Sequence, residues 1–220
     1  MIRECDLTEI TDGRLYSAND MVKIGCNDCS GCSYCCETMG DTILLDPYDI
    51  YQLTGNLSCS FEALLAKHLA LQVVDGIILP NIKLGGEKSS CPFLNQEGRC
   101  SIHSFRPGYC RLFPLGRIYD NHSFRYIIQI HECQKELKTK VKIRKWLDIP
   151  NYSQYEQFIT DWHYYLLDLQ KAYAETTDED RQRAISMNLL RLFYLTPYDA
   201  ERDFYEQFYE RFTLPFNPER

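Results

Sequence analysis

Five cysteines fall within eleven residues in the stretch Cys26-Asn-Asp-Cys29-Ser-Gly-Cys32-Ser-Tyr-Cys35-Cys36, and no other feature limits the fold of this chain as strongly. Tyr34 is the only large apolar residue among them; the rest of the spacing is small, polar or glycine. A hydrophobic core does not space its cysteines this way. A thiolate site does, because it needs tight turns that aim several sulfurs at one centre. Cys91, Cys100, Cys110 and Cys133 follow downstream. The start, Met-Ile-Arg-Glu-Cys-Asp, has no apolar export segment, and no stretch approaches the roughly 18 apolar residues of a membrane span. We therefore expect a cytoplasmic protein with no membrane partner. In that compartment thiols stay reduced, so eleven cysteines point to metal ligation rather than to disulfides, and their odd number agrees.

Adjacent residues such as Cys35 and Cys36 project in different directions, so both can hardly ligate one ion at ~2.3 Å without strain. They fit two centres, or two irons of one cluster. With them, Cys29, Cys32, Cys91, Cys100, Cys110 and Cys133 complete a candidate set of eight ligands. The run C-x-x-C-x-x-C and the pair Cys91-Pro92 occur in iron-sulfur sites, while tetrathiolate zinc uses the same C-x-x-C knuckles. Spacing alone leaves iron and zinc open. Cys5 and Cys59 lie outside the pattern. Cys26 is in register with it.

Cys29-x-x-Cys32-x-x-Cys35-Cys36, Cys91-Pro-Phe-Leu, Gly98-Arg-Cys100-Ser-Ile-His103 and Phe105-Arg-Pro-Gly-Tyr-Cys110-Arg-Leu-Phe-Pro114 together resemble the YkgJ-type cysteine-cluster family, which is named for zinc or iron chelation. The resemblance covers roughly residues 26 to 133 and begins its pattern at Cys29. The same cysteine module occurs in flagellin lysine N-methylases, where it holds an iron-sulfur cluster used with S-adenosylmethionine. The resemblance thus implies a metal-binding protein with a 4Fe-4S type cluster, or zinc, in a redox or structural role. Its alternative is a protein lysine methylase, for which this chain is short. No G-x-G-x-x-G, Walker A, H-E-x-x-H or C-x-x-x-C-x-x-C pattern supports an enzyme. Family members often carry tyrosine where this chain has His103, which we read as a surface substitution rather than a ligand. Arg106 and Arg111 lie inside the motif, where their guanidinium groups can donate to sulfur and offset the charge of clustered thiolates.

The formal charge of -7 and pI near 5.3 exclude a general nucleic-acid binder, which needs clustered Lys and Arg. The expected class is α+β: an N-terminal arm (1–25), a metal-centred module of short helices and hairpins (26–134), and a C-terminal three-helix segment (135–220) that offers a surface to a protein partner. Asp46-Pro47 with Asp49 predicts a helix start, with the helix ending near Thr54. Ser60 opens a second helix, whose apolar face leaves His68 beside it. Asp75-Gly76 between β-branched runs predicts a hairpin. A second hairpin around Asn95–Gly98 would bring Cys91 and Cys100 together, and a third spans 115–130 with its turn at Asp120-Asn121. The basic run Lys135, Lys138, Lys140, Lys142, Arg144, Lys145 reads as solvated surface able to seat an acidic peptide. The aromatic stripe from Tyr155 through Trp162 to Tyr173 reads as core. Thr177 with Asp180, and Thr196 with Asp199, are expected to cap the last two helices.

Overall fold

The computed structural model describes residues 7–25, 32–38, 42–85, 90–136 and 138–213. In chain order these form α1 (Leu7–Ile10), β1 (Met21–Gly25), α2 (Tyr34–Thr38), α3 (Pro47–Leu57), α4 (Phe61–Lys67), β2 (Leu69–Val74) and β3 (Ile77–Ile82). There follow α5 (Gly108–Leu112), β4 (Leu115–Asp120), β5 (Ser123–Ile128), β6 (Thr139–Lys142), α6 (Ile143–Leu147), α7 (Tyr152–Glu175), α8 (Glu179–Leu190) and α9 (Phe204–Phe212). Helices and short antiparallel strand pairs make the fold α+β, and helices dominate the C-terminal part. Contacts divide the chain into two compact units, Asp41–Leu84 with Asp161–Arg220, and Ile2–Gly40 with Gly85–Thr160. No described helix is long and apolar enough to cross a membrane.

In the unit of Asp41–Leu84 and Asp161–Arg220, α3 starts where its sequence says it should. The Asp46 carboxylate accepts from the Asp49 amide at 2.9 Å and the Asp49 carboxylate accepts from the Asp46 amide at 3.1 Å, so the two residues cap each other. The helix runs past Gly55 and exits through Ser58, which takes the left-handed conformation. One glycine inside a helix costs only about 1 kcal/mol and does not stop it. Ser60 caps α4. The hairpin of β2 and β3 turns at Asp75-Gly76, both with positive φ. Residues 43–45 lie on the far edge of β3, where the Leu45 amide donates to the Pro80 carbonyl at 2.9 Å. The second half of α7 supplies Trp162 to an aromatic core with Phe193, Tyr194 and Phe208. Tyr194, buried, donates its hydroxyl to the Leu45 carbonyl at 2.9 Å. The last two helix starts are shifted from expectation: Asp178 caps α8 and Asp203 caps α9. Thr196 instead donates to the Arg191 carbonyl, closing a π-turn over Arg191–Leu195.

In the unit of Ile2–Gly40 and Gly85–Thr160, β4 and β5 pair in register from Leu115↔Ile128 to Asp120↔Ser123, with the turn at Asn121-His122, one residue later than expected. Tyr16 exchanges backbone hydrogen bonds with Tyr126 at 2.8 and 2.9 Å, which fastens the N-terminal arm to β5. The arm also contributes β1, which pairs with β6. Tyr155 and Phe158, from the first half of α7, are fully buried here, and Arg117 donates to the Tyr155 hydroxyl at 3.1 Å.

Gly76 supplies a sharp test of this packing. Its φ is +85°, and an added Cβ would stand 2.3 Å from a ring carbon of Tyr173. Gly76→Ala should lower stability by on the order of 1–3 kcal/mol from backbone strain alone. Urea unfolding measures it, and a change within about 0.5 kcal/mol, typical of a neutral surface position, would show that the turn neither holds residue 76 at positive φ nor packs it against the Tyr173 ring.

Candidate metal centre

Cys35 links four of the cysteines singled out by sequence: it hydrogen-bonds with Cys36 and lies within electrostatic reach of Cys91 and Cys100, which also reach each other. The short helix α2 carries the first two, and the Cys36 amide closes its first turn onto the Ser33 carbonyl at 2.8 Å. The Cys91 amide then donates to the Cys36 carbonyl at 2.8 Å, so main chain ties the two cysteine segments together before any sulfur is considered.

From Cys91 the chain folds back in a tight hairpin. The Asn95 carboxamide oxygen accepts from the Arg99 amide at 2.7 Å, Gly98 takes φ +68°, and Leu94 bridges Cys100. This is the hairpin expected around Asn95–Gly98, and it brings Cys91 and Cys100 into mutual reach. The backbone N–H two residues on donates to each sulfur, from Phe93 to Cys91 and from Ile102 to Cys100. Such amide donors stabilise a thiolate and fix its lone pairs. Sequence reasoning missed them, since a main-chain donor leaves no side-chain signature beyond its offset from the cysteine.

Cys35, Cys91 and Cys100 resist ionisation. Cys35 is held far above the usual range, first by its hydrogen bond to Cys36 and then by burial. Burial raises Cys91 and Cys100, and the neighbouring sulfurs raise them further. Opposing this at Cys100 are the Ile102 amide and the nearby Arg106 guanidinium. A site that disfavours several adjacent negative charges, yet aims amide donors at them, suits a bound cation that would compensate them. Among the described residues no three such side chains stand in a closed ligand arrangement. Cys29, expected to be a ligand, and Cys26 lie outside the described residues. Cys32, Cys110 and Cys133 are half-buried in the same unit, Cys110 on α5 and Cys133 just past β5.

The two arginines take different places. Arg106 lies near Cys100 and donates to the His103 carbonyl at 2.9 Å, with its guanidinium also against the His103 ring. His103 thus serves as a partner of Arg106. Arg111, buried, sends its donors to main-chain carbonyls: Nε to Arg106 at 3.0 Å, Nη1 to Leu147 and Asp148 at 3.3 and 2.9 Å, and Nη2 to Ser104. It joins the turn after Cys100 to the end of α6.

A family model described as CxxCxxCC, a putative zinc- or iron-chelating domain, matches residues 28–152, more than half of the chain. The chain belongs to the CxxCxxCC family. No curated protein and no solved structure matches it. The matched span of the CxxCxxCC domain contains all eight candidate ligands and both arginines.

Two outcomes follow from these contacts. Arg111→Ala leaves four carbonyls without their donor and should cost roughly 3 kcal/mol or more, whereas Arg106→Gln should cost less than about 1 kcal/mol and instead weaken metal retention. Unfolding midpoints and metal per chain for both variants check this; a large stability loss in Arg106→Gln with unchanged metal would reverse the assignment. The pH dependence carries a definite sign. Because folding raises the pKa of Cys35, Cys91 and Cys100 above 9.0, the metal-free fold keeps their contribution below that pH and loses it as pH rises further. Metal affinity should move the opposite way, rising with pH as thiol protons are released more easily. Thermal melts of metal-free and loaded protein between neutral and alkaline pH would test the opposition, and parallel trends would contradict it.

Proposed function

We propose that this CxxCxxCC protein holds an iron-sulfur cluster of the 4Fe-4S type, in a redox or structural role. The observation that carries the reading is that Cys35 bonds its sequence neighbour Cys36 and also lies within electrostatic reach of Cys91 and Cys100, while the Cys91 amide is held on the Cys36 carbonyl. Adjacent thiols, one of them within reach of two cysteines from another segment, suit a multinuclear centre better than one tetrahedral ion. A 4Fe-4S cluster takes four thiolates: Cys35, Cys36, Cys91 and Cys100 would hold it, and Cys29, Cys32, Cys110 and Cys133, proposed as ligands from the motif, would serve a second tetrathiolate site or ion. When bound, such a cluster supplies one-electron transfer or a structural cross-link.

The chain's own residues set the conditions around it. The Phe93 and Ile102 amides stabilise charge on Cys91 and Cys100, and Arg106 offsets charge beside Cys100. Cys91 is only 8% exposed, so water has little access to its sulfur. In iron-sulfur proteins, solvent exposure and hydrogen bonds to sulfur are what tune the potential.

Protein purified without oxygen should be brown and contain iron and inorganic sulfide; colourless protein with stoichiometric zinc would replace the cluster reading with a zinc one. Cys35→Ser, Cys36→Ser, Cys100→Ser and Cys110→Ser should each lower metal content and melting temperature, because metal binding free energy is also folding free energy. Cys5→Ser and Cys59→Ser should do neither. Metal lost on Cys5→Ser but kept on Cys100→Ser would show that the ligands lie elsewhere.

A further inference from the structure

The ladder of β1 and β6 has two unlike faces. Val22 is buried beneath it, while Met21, Lys23, Lys140 and Lys142 are exposed. Residues directly opposite in an antiparallel pair share a face, and the register sets Met21 against Lys142 and Lys23 against Lys140. The outer face therefore gathers three ammonium groups and one thioether from segments far apart in the chain. Arg144 and Lys145, also exposed, extend the charge along α6.

This arrangement works against the ladder. Like charges directly opposite destabilise a strand pair, and a carboxylate at either position would do better. None of the three lysines forms an ion pair among the described residues, where the pairs are Lys171–Glu175 and Arg202–Glu210. Nor is the positive face a by-product of basic composition, since the whole chain carries -7. A local rule broken without compensation is expected where a surface serves a partner.

We propose that this face docks an acidic, extended segment of a partner protein, with carboxylates over Lys23, Lys140 and Lys142 and an apolar side chain against Met21. Charge complementarity selects the sign of the partner, and Met21, 54% exposed, gives it an adaptable apolar contact. A nucleic acid fits less well: the acidic chain repels a long polyanion, and no aromatic side chain stands among these four residues to stack a base.

The test uses full-length, metal-loaded protein with fluorescein-labelled oligoglutamate and, separately, labelled oligouridylate of matched length. Anisotropy should show salt-sensitive oligoglutamate binding that falls roughly tenfold or more in Lys23→Glu and in Lys140→Glu. The same substitutions should raise the melting temperature, since they turn a like-charge pair into an opposite one. Binding lost while stability is gained is an outcome that a merely structural basic strand would not give. Should a reversal lower the melting temperature instead, Lys140→Gln and Lys142→Gln decide, with weaker peptide binding expected at a melting temperature that does not fall. No oligoglutamate binding, binding undiminished in these variants, or tighter binding of oligouridylate would overturn the proposal.

Discussion

Several thiols brought together at partial or full burial cannot all be ionised without a cation among them, and the organisation of this CxxCxxCC protein follows from that constraint. Each buried sulfur loses hydration, and each neighbouring sulfur makes a further negative charge harder to place. The fold answers with groups that are useful only if the sulfurs do become negative. Amides of Phe93 and Ile102 point at Cys91 and Cys100, and the Arg106 guanidinium stands beside Cys100. For neutral thiols these donors would be poorly matched, because a thiol is a weak acceptor. Matched to thiolates, they describe a site arranged for the metal-bound state.

The scaffold around the sulfurs is mostly main chain. The amide of Cys91 is anchored on the carbonyl of Cys36, the Asn95–Gly98 turn returns Cys100 to the same neighbourhood, and the Arg111 side chain donates to carbonyls of the following turn and of the end of α6. Contacts that end on the main chain fix the course of the backbone, and binding sites need that rigidity to present ligands at fixed spacing.

Local signals in the sequence were reliable where the chemistry is local. The Asp46/Asp49 cap, the Asp75-Gly76 turn and the Asn95–Gly98 turn each depend on a few consecutive residues, and each is present. The pairing of β1 with β6 depends on segments far apart, neither with a turn of its own, so nothing local announced it. Helix starts were misplaced where several capping residues crowd together: Thr177 competes with Asp178, and Thr196 and Asp199 with Asp203. Long-range packing chooses among them. At the candidate site, motif spacing pointed to the cysteines and to Arg106, but the amide donors, and the use of Arg111 as a main-chain clamp, required the folded backbone.

The central claim is that cysteine sulfurs from α2 and from the 91–100 hairpin bind metal together. X-ray absorption at the metal edge, on anaerobically purified protein, tests it most directly. The account predicts a first shell of sulfur at about 2.3 Å, and a changed shell or lost metal when Cys35 or Cys100 is replaced by serine. A shell dominated by nitrogen and oxygen, or a sulfur shell indifferent to both substitutions, would contradict it.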